Sequence, residues 1–333
     1  MKYYDVSNWS SKSFSTNTKG SRDKGILFDP LTGDEYFIKF PMIRRNRDYS
    51  METWSEILAY EIGTLLGFNV LRYDFGMQNE RAGCISKNMV SEYNESLIEG
   101  DSILMAYDPT YDPKEKSSYN RYTFSFVLEA LKAANLDQYS KDFVKILIFD
   151  SIIGNSDRHQ SNWGFIQKVN IKISDSKIKF FKKKSSISVH VIKREMAPIY
   201  DSGCCFGREF GEEQIKDKMD DINKFHSFIH KGRAELRIDS EPDMKKSHFE
   251  LLKGICSLND NWKEFIVNEI NRVVDLYAEN KEKIEDIVSN IDLPLPDDVR
   301  TRFGLSEQRK IFVIRIIDSR INELKNIVYV STD

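Results

Sequence analysis

The chain has 333 residues, a length that suits about two domains or one two-lobed unit and can bury a substantial core. Its 40% hydrophobic, 30% charged and 12% aromatic composition argues against wholesale disorder, and its net charge of -3 against general attraction to nucleic acid or anionic membrane. Four cysteines without CxxC spacing indicate neither a zinc site nor a disulfide framework, and fit a reducing compartment.

The first residues, "MKYYDVSNWSSKSFS", lack the apolar run of a signal peptide, and no apolar stretch has the length of a membrane span. The expectation is a soluble, cytoplasmic protein, with export by a signal-less route left open. "KGILFD" and "EYFIKF" flank "PLTGD", whose Pro30 and Gly33 mark a turn, so residues 24–40 read as a β-hairpin. In "TWSEILAYEIGTLLGF", Trp54, Ile57, Leu58, Ile62, Leu65 and Leu66 recur at helical spacing before Gly67, a terminator. "NVLRYDFGMQ" and "AGCISKNMV" return to strand character.

From about residue 120 the pattern turns helical, first in "YTFSFVLEALKAAN". "DQYSKDFVKILIFDSIIG" follows, apolar nearly all round as a buried helix is. "WGFIQKV", "KIKFF" and "SISVHVI" alternate as strands do, with "KIKFFKKKSS" as a solvated hairpin. "NWKEFIVNEINRVVDLYAEN" and "SEQRKIFVIRIIDSRINELKNIV" have the period of surface helices, the second N-capped by Ser306, and "LPLPDD" breaks the pattern between them.

"IIGNSDRHQSNWGF" sets Asp157 and Asn162 five residues apart, straight after the buried helix. A carboxylate and an amide so spaced can share one small volume, the first toward a substrate proton and the second toward a cation. Forty-four residues beyond Asp157, "APIYDSGCCFG" supplies Asp201, a second hard oxygen donor of the kind Mg²⁺ prefers. Upstream, Lys39 ends an alternating strand, and Glu56 stands in the first turns of the next helix, with Glu61 as its competitor.

This order of lysine, glutamate, D-x-H-x-x-N and D-S-G resembles the HipA-like kinases, including the CtkA-like stand-alone type, remote relatives of protein kinases and phosphoinositide kinases. The resemblance runs from about residue 12 to 328. It implies an α+β, two-lobed kinase-like fold: a β-rich small lobe over 1–95 and a mostly helical large lobe over 96–333, with ATP and Mg²⁺ in the cleft. It further implies that Asp157 takes or orients the proton of an attacking hydroxyl, that Asn162 and Asp201 hold Mg²⁺, and that Lys39, oriented by Glu56, contacts the phosphates. His159, Asn155 and Arg158 would support the loop, with Arg158 a lesser candidate for a phosphate or an acidic partner.

The implied reaction is transfer of the γ-phosphoryl group to Ser or Thr of a protein. Some family members are restrained by an antitoxin partner and others act alone; the chain carries no separate domain that distinguishes them. Two departures stand out: "SFSTNTKGSRDKG" has no G-x-G-x-x-G, leaving Gly20 and Ser21 as the phosphate-loop candidates, and DFG is replaced by DSG. The Ser/Thr-rich residues 10–21 would be an autophosphorylation segment. The rivals are a lipid or small-molecule kinase, favoured by the basic residues Lys182 to Lys184, a silent nucleotide-binding pseudokinase, and a metallo-phosphoesterase, for which the histidines are few.

Overall fold

A computed structural model of the protein describes residues 1–12, 23–44, 47–90, 93–176 and 184–331. The N-terminal region comprises β1 (Tyr3–Asp5), β2 (Ser10–Lys12), β3 (Lys24–Phe28), β4 (Glu35–Lys39), the short pair β5 (Ile43–Arg44) and β6 (Arg47–Asp48), helix α1 (Met51–Leu65), β7 (Asp74–Gln78) and β8 (Arg81–Lys87). Six of the strands form one sheet in the order β1-β7-β8-β4-β3-β2. The expected hairpin is β3–β4, in register Lys24↔Lys39, and its turn uses Gly33 at φ 74°, a left-handed conformation glycine adopts at no cost. β1 pairs in parallel with β7. Its three residues are too few to show a period, so the sequence gives no sign of it.

Next come β9 (Glu95–Glu99), α2 (Gly100–Tyr107), α3 (Phe124–Ala133), α4 (Ser140–Ile153), β10 (Gly164–Ser176) and β11 (Lys184–Met196). The three strands form a second sheet in the order β11-β10-β9. The remainder is helical: α5 (Glu212–Asp220), α6 (Ile222–Lys231), α7 (His248–Cys256), α8 (Asp260–Ser289), α9 (Asp297–Phe303) and α10 (Glu307–Ser331). After α1, helical structure resumes at Gly100 and not near residue 120, and α8 continues past Asn280 to Ser289. "KIKFF" and the basic Lys182 and Lys183 lie outside the described residues. As expected, Ser306 Oγ accepts from the amide of Arg309 at the start of α10.

α4 is buried on every side from Phe143 to Ile153, apart from the half-buried Lys145, and stops at Gly154, which takes φ 71°. One apolar core joins α1, β7 and β8 to the C-terminal helices, and a smaller cluster of Val6, Leu27, Ile38, Phe40 and Ile85 lies within the first sheet. Polar side chains of α1, among them Glu52, Ser55 and Glu56, are buried with its apolar ones. Burial of this kind requires a partner for each. Among the described residues no helix is long and apolar enough to cross a membrane.

Candidate active site

Lys39 stands at the end of β4 and Glu56 within α1, and the lysine Nζ donates to Glu56 Oε1 at 2.5 Å. The same ammonium also pairs with the carboxylate of Asp201. Glu56 is 1% exposed, and its second oxygen accepts from the backbone amide of Ser202 at 2.7 Å. Both oxygens of a buried carboxylate are thus satisfied, which fixes its rotamer and holds the ammonium in place. The competing Glu61 instead pairs with the amino group of Met1 at 2.6 Å. Asp201 has φ 56°, in the left-handed region that aspartate tolerates better than most residues, and this turns its carboxylate toward the lysine.

The loop between α4 and β10 is built on Asp150, a buried carboxylate in the last turn of α4. Arg158 donates to it twice, Nε to Oδ2 at 2.9 Å and Nη2 to Oδ1 at 2.8 Å. Nη1 donates to the carbonyl of Asn162 at 2.8 Å and to that of Tyr200, and Nη2 reaches Ser202 Oγ at 3.2 Å. One guanidinium therefore joins α4, the loop and the D-S-G segment. Burial would lower the Arg158 pKa, but Asp150 outweighs it and holds it above the usual range. With these partners Arg158 is not available to a phosphate or an acidic protein, which removes it from the binding candidates.

Asn155 donates to Asp150 Oδ1 at 3.0 Å, and its own Oδ1 accepts from the amide of Asp157 at 3.3 Å, as loop support requires. His159 Nδ1 accepts from the Ser161 amide at 3.3 Å and so also serves the loop. The half-buried Asp157 accepts from the thiol of Cys204 at 3.2 Å. Asn162 Nδ2 donates to the carbonyl of Asp157 at 2.7 Å, which leaves its Oδ1 as the free acceptor; among the described residues that oxygen has no hydrogen-bond partner. An amide oxygen and a carboxylate are hard donors that suit Mg²⁺.

The structure thus brings Lys39, Glu56 and Asp201 into direct contact, and ties Asp157 and Asn162 to each other through one hydrogen bond. Gly20 and Ser21 lie outside the described residues, as does most of the segment 10–21. Sequence reasoning missed Asp150 and the contact of Cys204 with Asp157. The first left a signal, an acid in the final turn of an otherwise apolar helix; the second is a contact across 47 residues and left none.

No family model matches the chain. The serine/threonine-protein kinase CtkA of Helicobacter pylori is 21% identical over 297 residues, covering 87% of this chain and 80% of that protein. The crystal structure of the Helicobacter pylori proinflammatory kinase CtkA superposes with a TM-score of 0.71 at 19% identity, covering 98% of both chains. HipA of Shewanella oneidensis, solved with HipB and operator DNA, gives 0.51 at 13% identity over 96% of this chain and 67% of that one. The chain is similar to CtkA and HipA and shares their fold.

Proposed function

We propose that the protein is an ATP- and Mg²⁺-dependent kinase that phosphorylates Ser or Thr of a protein. The observation that carries this reading is the ammonium of Lys39 held between Glu56 and Asp201. A cation fixed by a buried carboxylate is suited to bind phosphate oxygens without reorganisation, and phosphoryl transfer depends mainly on such positioning and electrostatics. Asn162 Oδ1 and the Asp201 carboxylate would hold Mg²⁺, which would supply positive charge to offset that developing on the phosphates. Asp157 accepts the hydroxyl proton as the acceptor oxygen bonds to the γ-phosphorus and the bond to the ADP oxygen breaks.

In this reading residues 1–95 form the small lobe and 96–333 the large one, with Gly20 and Ser21 contributing to the phosphate loop. Autophosphorylation within residues 10–21 and an antitoxin-type protein partner belong to the same proposal; the HipB bound to the HipA relative supports the latter. The test is incubation with γ-labelled ATP and Mg²⁺, with a generic protein acceptor, beside Asp157→Ala. Loss of a general base costs about 10²- to 10⁴-fold, so label should enter the acceptor with the wild type and fall by that factor in the variant. Equal labelling by both would remove Asp157 from this role, and absence of both labelling and nucleotide-dependent thermal stabilisation would end the kinase reading.

A further inference from the structure

A cavity of about 950 Å³ lies against the catalytic loop, and Gly154, Ser156 and Cys204 form part of its wall. Cys204 donates its thiol to Asp157, so one wall residue of the cavity is in contact with the proposed base, which does not itself line it. Lys39, Glu56 and Asp201 are not among its lining residues. It therefore adjoins Asp157 without containing the phosphate-holding groups, where an acceptor belongs.

The lining holds six cationic side chains against two acidic ones, in a chain whose net charge is -3. Such an excess in a concave wall focuses positive potential. Lys224, Lys245 and Arg233 are paired with Asp217, Glu235 and Glu250. Lys218 and Lys231 have no ion-pair partner among the described residues.

Arg320, from α10, adds a buried charge. It is 2% exposed, donates to the carbonyls of Ser151 at 3.0 Å and Ile229 at 3.1 Å, and leaves Nε without a partner. Those carbonyls lie toward the C-terminal ends of α4 and α6, whose dipoles favour a cation, but among the described residues no carboxylate pairs with it. Burial accordingly pushes its pKa down to about 10. Gly154 and Gly232, both in the cavity wall, abut the guanidinium: a Cβ at Gly154 would stand 2.9 Å from Nε, and one at Gly232 3.0 Å from Nη2. On these sides bare backbone lies against the charge, and the centre of the Phe249 ring stands 5.5 Å from its Cζ.

We propose that the cavity seats an acidic segment of the protein acceptor, with anionic side chains beside the reacting Ser or Thr meeting Lys218, Lys231 and the field of Arg320. This inference rests on the kinase reading, since it assigns the cavity to that reaction's second substrate. The recognised chemistry is an anionic side chain, either the carboxylate of Glu or Asp or the phosphate of a phosphoserine.

The test is fluorescence anisotropy of the full chain, without ATP, with three labelled peptides: one serine flanked by glutamates, the same with glutamines, and the same with one glutamate replaced by phosphoserine. The glutamate peptide should bind about tenfold more tightly than the glutamine peptide, and added salt should reduce the difference. Lys218→Glu/Lys231→Glu, and the milder double Gln variant in case the reversal perturbs folding, should abolish the preference. A phosphoserine peptide binding more tightly than the glutamate peptide assigns the anion to phosphate, and the reverse assigns it to carboxylate. Equal binding of the glutamate and glutamine peptides, or a preference that survives both double variants, overturns the inference. Because binding is read without ATP, a failure of phosphoryl transfer with anion preference intact counts against the kinase reading alone.

Discussion

The thiol of Cys204 donates to the carboxylate proposed to receive the substrate proton, so its loss should be felt in turnover more than in nucleotide binding. Cys204→Ala is expected to lower kcat by about tenfold, the low end for one hydrogen bond to a charged group, with KM for ATP unchanged. Cys204→Ser, which keeps a donor, should recover most of it. At Asp150 the effect is on folding: Asp150→Ala leaves Arg158 buried and unpaired, at a cost of about 3–5 kcal/mol readable by denaturant unfolding. Asp157, Asn162, Asp201, Lys39 and Glu56 could be proposed from the sequence because the chemistry of a kinase-like site sets both type and spacing. Asp150 and Cys204 act through contacts that only the folded chain creates.

The proposed catalytic loop is an element held from outside as well as from α4. At the junction of β9 and α2, the amides of Gly100 and Asp101 donate to the carbonyls of Trp163 and Gln160 at 2.8 and 2.9 Å, and Asp101 accepts from Ser161 Oγ at 2.9 Å. A Cβ at Gly100 would lie 2.3 Å from the Trp163 ring and 2.7 Å from the Gln160 carbonyl, so Gly100→Ala must push the loop aside. Loss of most transfer activity is expected, with destabilisation of about 1–3 kcal/mol. On the other side, His248 of α7 lies 2.7 Å from the carbonyl of Asn155 through Nε2. Burial, and then Arg320, push its pKa down to about 4. The unfolded chain takes up this proton near pH 6.5 and the folded one only near 4. Stability from this group is therefore full above pH 6.5 and falls by roughly 3 kcal/mol as the pH drops to 4. His248→Gln, which retains a donor, should flatten Tm against pH over that window. Elements long enough to show a period, α1, α4 and the β3–β4 hairpin, were readable from sequence. α5 to α7 were not assigned: α5 is strongly polar and all three are short, and their place is set by packing against α10 and α4.

Over the whole molecule, one core runs from the strands beside α1 into the C-terminal helices. The proposed lobes should therefore unfold together: calorimetry is expected to give a single transition, and two resolved peaks would mean that the division near residue 95 separates independent units. α1 is tied to the helical part along its length. Glu52 pairs with Arg208, Trp54 Nε1 donates to the carbonyl of Phe303 at 2.8 Å, and Ser55 Oγ to that of Cys205 at 3.2 Å. Past its end, Arg272 of α8 donates to the carbonyl of Leu66 at 3.1 Å. A helix held in this way cannot swing outward and carry Glu56 off Lys39 without breaking the core. In the proposed kinase, α1 would therefore not be the moving part of an on–off switch: Lys39 and Glu56 are brought together by folding itself.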